Sequence, residues 1–147
     1  MIANAREYRI TRAAAQRFEE ALAHVEDRSA ERHPLLQKAM RESIESELAI
    51  LRAQLAEYDA LRNGQIAVFE LESLRELPEA LIRARVAAGL TQKELAARLG
   101  LKEQQVQRYE ATRYAGANLD RLQAVADAIG VQIRERVILT QAGQPPT

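Results

Sequence analysis

Residues 89–116 read GLTQKELAARLGLKEQQVQRYEATRYAG. Leu95, Ala96 and Leu99 fall on one face of a first short helix, and Val106 and Tyr109 on one face of a second, each at helical spacing. Gly100 stands between them, where a residue free to adopt the left-handed conformation ends the first helix without a side-chain penalty. Ala96 is small enough for the two helices to cross closely. The pattern predicts helices over about 92–99 and 103–111 joined by a sharp turn, an arrangement whose second helix can enter the DNA major groove.

Working outward, Pro78 suits a first helical position and predicts a helix to about Ala88, with Gly89 as its stop. A further helix is expected at about 118–129, ended by Gly130. Counted from Gln92 as the first position, the fifth is Ala96, the ninth Gly100, the fifteenth Val106 and the eighteenth Tyr109. This spacing resembles the Xre family of phage-repressor-like helix-turn-helix proteins, which includes HigA-type antitoxins. The resemblance extends upstream through Leu81, Ile82, Arg83 and Arg85, and downstream through Tyr109, Glu110, Leu119, Leu122, Val125, Ala126, Ile129 and Gly130. It covers roughly residues 74–131 and implies a lambda-repressor-like helical domain that binds DNA.

The N-terminal half reads differently. Thr11 is expected to cap a helix over about 12–27, with Ala14, Phe18, Ala21, Leu22 and Val25 on its inner face, and the alternation around Tyr8 and Ile10 suggests a short extended segment before it. A long helix is predicted from Pro34 to about Arg62. Its Ile44, Leu48, Leu51, Leu55 and Tyr58 recur at alternating steps of four and three, a coiled-coil type seam. Either the two helices form a hairpin that buries its own stripes, or the seam needs a second chain and serves as a dimerisation or partner-binding arm. Residues 1–64 are thus read as a helical hairpin arm, 65–140 as the DNA-binding domain with a short apolar linker around Ile66, Val68 and Phe69, and 141–147 as a frayed tail. Val131, Ile133, Val137 and Leu139 alternate in part with Arg134 and Arg136, so a short C-terminal strand is expected, paired across a dimer axis or with the segment near Ile66. The fold class is mainly α.

Charge and composition narrow the function. The 21 basic and 21 acidic residues cancel, but residues 81–113 hold seven basic residues against three acidic ones. Hydrophobic residues make up 47% and aromatics only 4%, so the core is aliphatic and suited to closely packed helices. With no cysteine there is no disulfide or thiolate metal site, and the two histidines, His24 and His33, do not make a metal set, so no cofactor is expected. No phosphate loop or nucleophile elbow is present, and catalysis is not expected. Arg6, Glu7 and Arg9 occupy the place of a secretory apolar region, and no apolar run is long enough for a membrane span, which points to a soluble cytoplasmic protein.

Taking Val106 as the inward direction, Gln104 and Arg108 each lie within about 20° of the opposite direction on the second motif helix. Glutamine pairs bidentately with adenine and arginine with guanine, so these two are the expected base readers. Lys102, Glu103 and Gln105 occupy the end of that helix that enters a groove most deeply. Gln92 and Lys93, at the start of the first motif helix, are expected at phosphates, and the family resemblance places the Gln92 side chain against the DNA backbone. Arg98 and Arg113 are further phosphate candidates. Tyr109 is expected to anchor the core and Glu110 to pair with an arginine or an end amide. One such helix covers few base pairs, so a homodimer on a palindromic double-stranded operator is expected. The HigA-type resemblance adds a cognate toxin, bound by the N-terminal helices, as an alternative partner.

Overall fold

The computed structural model describes residues 1–140; the expected frayed tail at 141–147 lies outside the described residues. Six α-helices carry the fold: α1 (Ala5–Asp27), α2 (Pro34–Arg62), α3 (Leu77–Ala87), α4 (Gln92–Leu99), α5 (Glu103–Ala111) and α6 (Leu119–Ile129). None is long and apolar enough to cross a membrane among the described residues.

The first helix starts earlier than the sequence suggests. Asn4, in extended backbone conformation, accepts the Glu7 amide on Oδ1 at 2.9 Å and caps α1, so the expected extended segment around Tyr8 and Ile10 is helical and Thr11 is an interior residue. Asparagine outranks threonine as an N-cap, and Ala5, Arg6 and Glu7 all tolerate a first turn. At the other end, Gln37 Nε2 donates to the Val25 carbonyl at 2.6 Å across the hairpin connection.

α1 and α2 run antiparallel. Tyr8 and Tyr58 pack against each other with tilted rings whose centroids are 4.9 Å apart, the Tyr8 hydroxyl donates to Asp59 at 3.2 Å, and Arg52 reaches Glu19 further along. Ala15, Val25 and Leu48 are buried between the helices, while Ile44, Leu51, Leu55 and Tyr58 are half-buried. The seam therefore faces α1, as the hairpin alternative requires. Ile10, Leu35, Leu36 and Ile50 remain exposed outside it.

Helices α3 to α6 enclose a second core of Leu77, Leu81, Ile82, Leu95, Ala96, Val106, Tyr114, Val125, Ala126 and Ile129. Leu95 and Ala126 are fully removed from solvent, and Val106 and Val125 nearly so. The hairpin is braced against this unit. Leu61, at the end of α2, is buried, and Glu57 Oε1 lies 2.6 Å from Arg83 Nε, an ion pair poorly aligned for a hydrogen bond. Met1 and Ala3 also pack against the second core, and Ile2 is buried.

The expected C-terminal strand is not formed. Residues 131–140 have no regular secondary structure, and Val137, Ile138 and Leu139 are exposed. A strand needs a neighbouring backbone, and the segment near Ile66 is committed elsewhere: the Gln65 and Ile66 amides both donate to the Ala60 carbonyl and finish α2.

Candidate nucleic-acid interface

The paired helices α4 and α5 have the predicted bounds, set by local chemistry at each end. Thr91 caps α4: its Oγ1 accepts the Glu94 amide at 3.0 Å, and Glu94 Oε2 accepts the Thr91 amide at 2.7 Å. The Thr91 amide, reinforced by its hydroxyl, holds the Glu94 carboxyl below its ordinary range. Gly100 ends the helix at φ +66°, and the Leu101 amide then reaches back to the Ala96 carbonyl at 2.8 Å. Lys102 opens α5 as its N-cap.

Val106 points into the core with 1% of its surface exposed, and Gln104 and Arg108 are exposed on the opposite side of α5. The geometric expectation for this pair is met. Lys102, Glu103 and Gln105 are also exposed at the helix start, but Gln105 Oε1 accepts the Lys102 amide at 2.9 Å and is occupied by the cap, and Glu103 accepts from Gln107 at 3.4 Å. Gln107 is exposed on the same end and was not singled out by spacing, since it lies to the side of the Gln104 and Arg108 stripe.

Gln92 is half-buried. Its Nε2 donates to Glu110 Oε2 at 2.9 Å, while Lys93 beside it is exposed. Arg98 Nη1 donates to the Ala128 carbonyl at 2.8 Å, satisfying an end carbonyl of α6. Arg113 pairs with Glu79 and takes φ +50°, followed by Tyr114 at φ +56°. Two consecutive left-handed residues without a glycine are strained, by about 1 to 2 kcal/mol each. Burial of Tyr114 and its stacking on Tyr109, at 5.5 Å between ring centroids, offset that cost. Tyr109 packs on the core as expected, with the Arg121 guanidinium 5.7 Å from its ring.

The partner expected for Glu110 is Arg85. Both are buried, at 6% and 2% exposure, and the guanidinium grips the two carboxylate oxygens, Nη2 to Oε2 at 2.9 Å. Arg85 Nη1 further donates to the Leu90 carbonyl at 2.8 Å and Nη2 to the Ala3 carbonyl at 2.6 Å. One arginine thus ties α3 to α5, to the loop before α4 and to the first residues of the chain. A sequence-level charge count places Arg85 in a surface patch, which overstates the field: Arg83, Arg85 and Arg113 are neutralised by Glu57, Glu79 and Glu110. Of the seven basic residues of 81–113, Lys93, Lys102 and Arg108 remain exposed without an ion-pair or hydrogen-bonded side-chain partner among the described residues.

Residues 81–136 match the family model described as helix-turn-helix. No curated protein and no solved structure matches the chain. The matched region contains the capped and turned helix pair, the Arg85 to Glu110 brace and the outward face of α5, and it amounts to a little over a third of the 147 residues. Over those residues the chain is similar to the helix-turn-helix family.

Proposed function

We propose that the chain is a sequence-specific transcriptional regulator, a repressor, which acts in the cytoplasm as a homodimer on a palindromic double-stranded operator. The observation that carries this reading is the exposed pair Gln104 and Arg108 on the side of α5 opposite the buried Val106. Their side chains match the major-groove edges of adenine and guanine, and Lys93 and Lys102 flank them as phosphate contacts. Dimerisation is supported by the exposed apolar residues Leu35, Leu36 and Ile50 on α2, which the hairpin leaves outside its seam. Two reading helices held one helical turn apart then address two half-sites. No catalytic step belongs to this reading.

The test is selection of duplexes from a random pool by the purified chain. The expected product is a palindrome bound with an affinity that falls steeply with salt, as counterion release dictates. Failure to enrich any sequence contradicts the reading. Replacing Leu36 and Ile50 by lysine is expected to halve the solution mass; an unchanged dimer assigns assembly to another surface.

The same exposed apolar residues favour a second reading, an antitoxin whose α2 is covered by a toxin and whose helix-turn-helix represses their shared operon. Leu35 and Leu36, at 72% and 54% exposure, form its docking point. The discriminating experiment is co-expression with the product of an adjacent small reading frame. A complex abolished by Leu35→Lys with Leu36→Lys supports this reading, and separate elution of the two proteins contradicts it.

A further inference from the structure

The first residues of the chain are fixed at one edge of the helix-turn-helix unit. Ile2 is 3% exposed, Met1 and Ala3 pack on the α3 to α6 core, and the Ala3 carbonyl accepts from Arg85 Nη2 at 2.6 Å. α1 departs from this anchored segment at Ala5, so the position of its first turn is set by the DNA-binding unit rather than by the hairpin alone. A cleft of about 900 Å³ separates that turn from α4 and α5. Asn4 and Arg6 line it together with Gln92, Glu103, Gln107 and Arg113. Gln104 and Arg108 are outside the cleft and exposed, so the segment stands beside the reading stripe and leaves it uncovered.

We propose that Arg6 is a DNA phosphate contact, and that the sugar-phosphate strand bordering the groove entered by α5 runs along this cleft. The inference rests on the DNA-reading role of α5 given above. Arg6 is exposed and has no ion-pair partner among the described residues, and the same holds for Arg62, which also lines the cleft. The acids nearby are mostly engaged. Glu7 Oε2 turns back to accept the Ala3 amide at 2.7 Å, Glu110 is neutralised by Arg85, and Arg113 pairs with Glu79. Glu103 is the remaining carboxylate facing the space, and it sits at the groove end of α5, where it can accept from a cytosine amino group instead of meeting the backbone. A guanidinium on a rigidly held helix turn, continuous with a base-reading surface, matches a phosphate ester in charge and geometry. A segment that served to block DNA would lie across Gln104 and Arg108, and this one does not.

The experiment measures binding of wild type, Arg6→Ala and Arg6→Lys to a duplex enriched from a random pool by the wild-type chain, and to a scrambled duplex of equal length, over a range of salt. Arg6→Ala is expected to lose the same factor on both duplexes and to make the slope of log K against log salt shallower by about one, with Arg6→Lys restoring most of the loss and the melting temperatures unchanged. Unchanged affinity and slope for Arg6→Ala overturns the proposal, and so does tighter binding, which identifies the segment as an obstruction. A loss confined to the enriched duplex also overturns it, since a phosphate contact does not discriminate sequence. If the wild type selects its duplex while Arg6→Ala is indifferent, the phosphate contact alone fails. If the wild type enriches nothing, the reading of α5 fails with it.

Discussion

A single guanidinium decides much of the packing of the α3 to α6 unit. Arg85 is nearly inaccessible and spends its donors on Glu110, the Leu90 carbonyl and the Ala3 carbonyl, while Gln92 adds a donor to the same carboxylate. Removing one partner of such a buried pair leaves the other charge stranded, at a cost of about 3 to 5 kcal/mol, whereas replacing both by apolar side chains removes the desolvation penalty as well. Glu110→Gln should therefore lower the denaturant midpoint sharply, and Arg85→Met with Glu110→Leu should recover part of the loss. A double variant worse than either single change contradicts this account. Tyr114 gives a pH prediction. Burial, with the nearby Glu110 carboxylate, pushes its hydroxyl well above the ordinary 10.0. The folded state then keeps a proton that the unfolded chain releases, so this contribution is intact below pH 10.0 and is lost progressively as pH rises beyond it. Tyr114→Phe should flatten the alkaline fall in stability above that pH; a parallel fall in both proteins contradicts the assignment. The pairing of Glu110 with an arginine or an end amide was legible from residue chemistry, but which partner was not, because Arg85 lies 25 positions away and the chain between returns through a turn whose direction no local pattern states.

Among the elements, α2, α4 and α5 were legible to the residue because strong periodicity is bounded by specific end chemistry, Pro34 at the start of the long helix and Gly100 at the end of the first motif helix, while the Thr91 cap emerges from the structure. Where two signals compete, the stronger cap wins, as at Asn4 over Thr11, and where a signal depends on a distant partner it fails, as in the apolar alternation of 131–139. Gly100 offers the cleanest test of the helix pair. Its φ of +66° is left-handed and an added Cβ meets nothing within 4 Å, so Gly100→Ala measures backbone strain alone. The expected cost is about 1 to 2 kcal/mol in unfolding free energy, with the far-UV circular dichroism of the folded state retained. A neutral substitution would mean the turn does not hold the angle between α4 and α5.

At the scale of the molecule, the sequence division into a hairpin arm of 1–64 and a following domain suggests two separable units, yet the structure joins them through both chain segments at the open end of the hairpin. Glu57 reaches Arg83, and Ala3 reaches Arg85, 82 residues away in sequence. No periodicity connects those positions; the contact follows from the return of α2 along α1, which brings the start of the chain back to α3. The same closure places Arg6 beside the cleft, so a contact there was invisible to motif reading, and it thins the basic surface that charge counting suggested. What survives from sequence to structure without alteration is the outward stripe of α5, and the functional account depends on it. The most direct measurement is the affinity of Arg108→Ala for an enriched operator duplex and for a scrambled one under identical salt. A loss of about 1 to 3 kcal/mol on the operator, with relaxed preference at one base pair and little change on the scrambled duplex, is the expected result. Equal losses on the two duplexes, or no loss on either, would contradict the assignment of α5 as the reading helix.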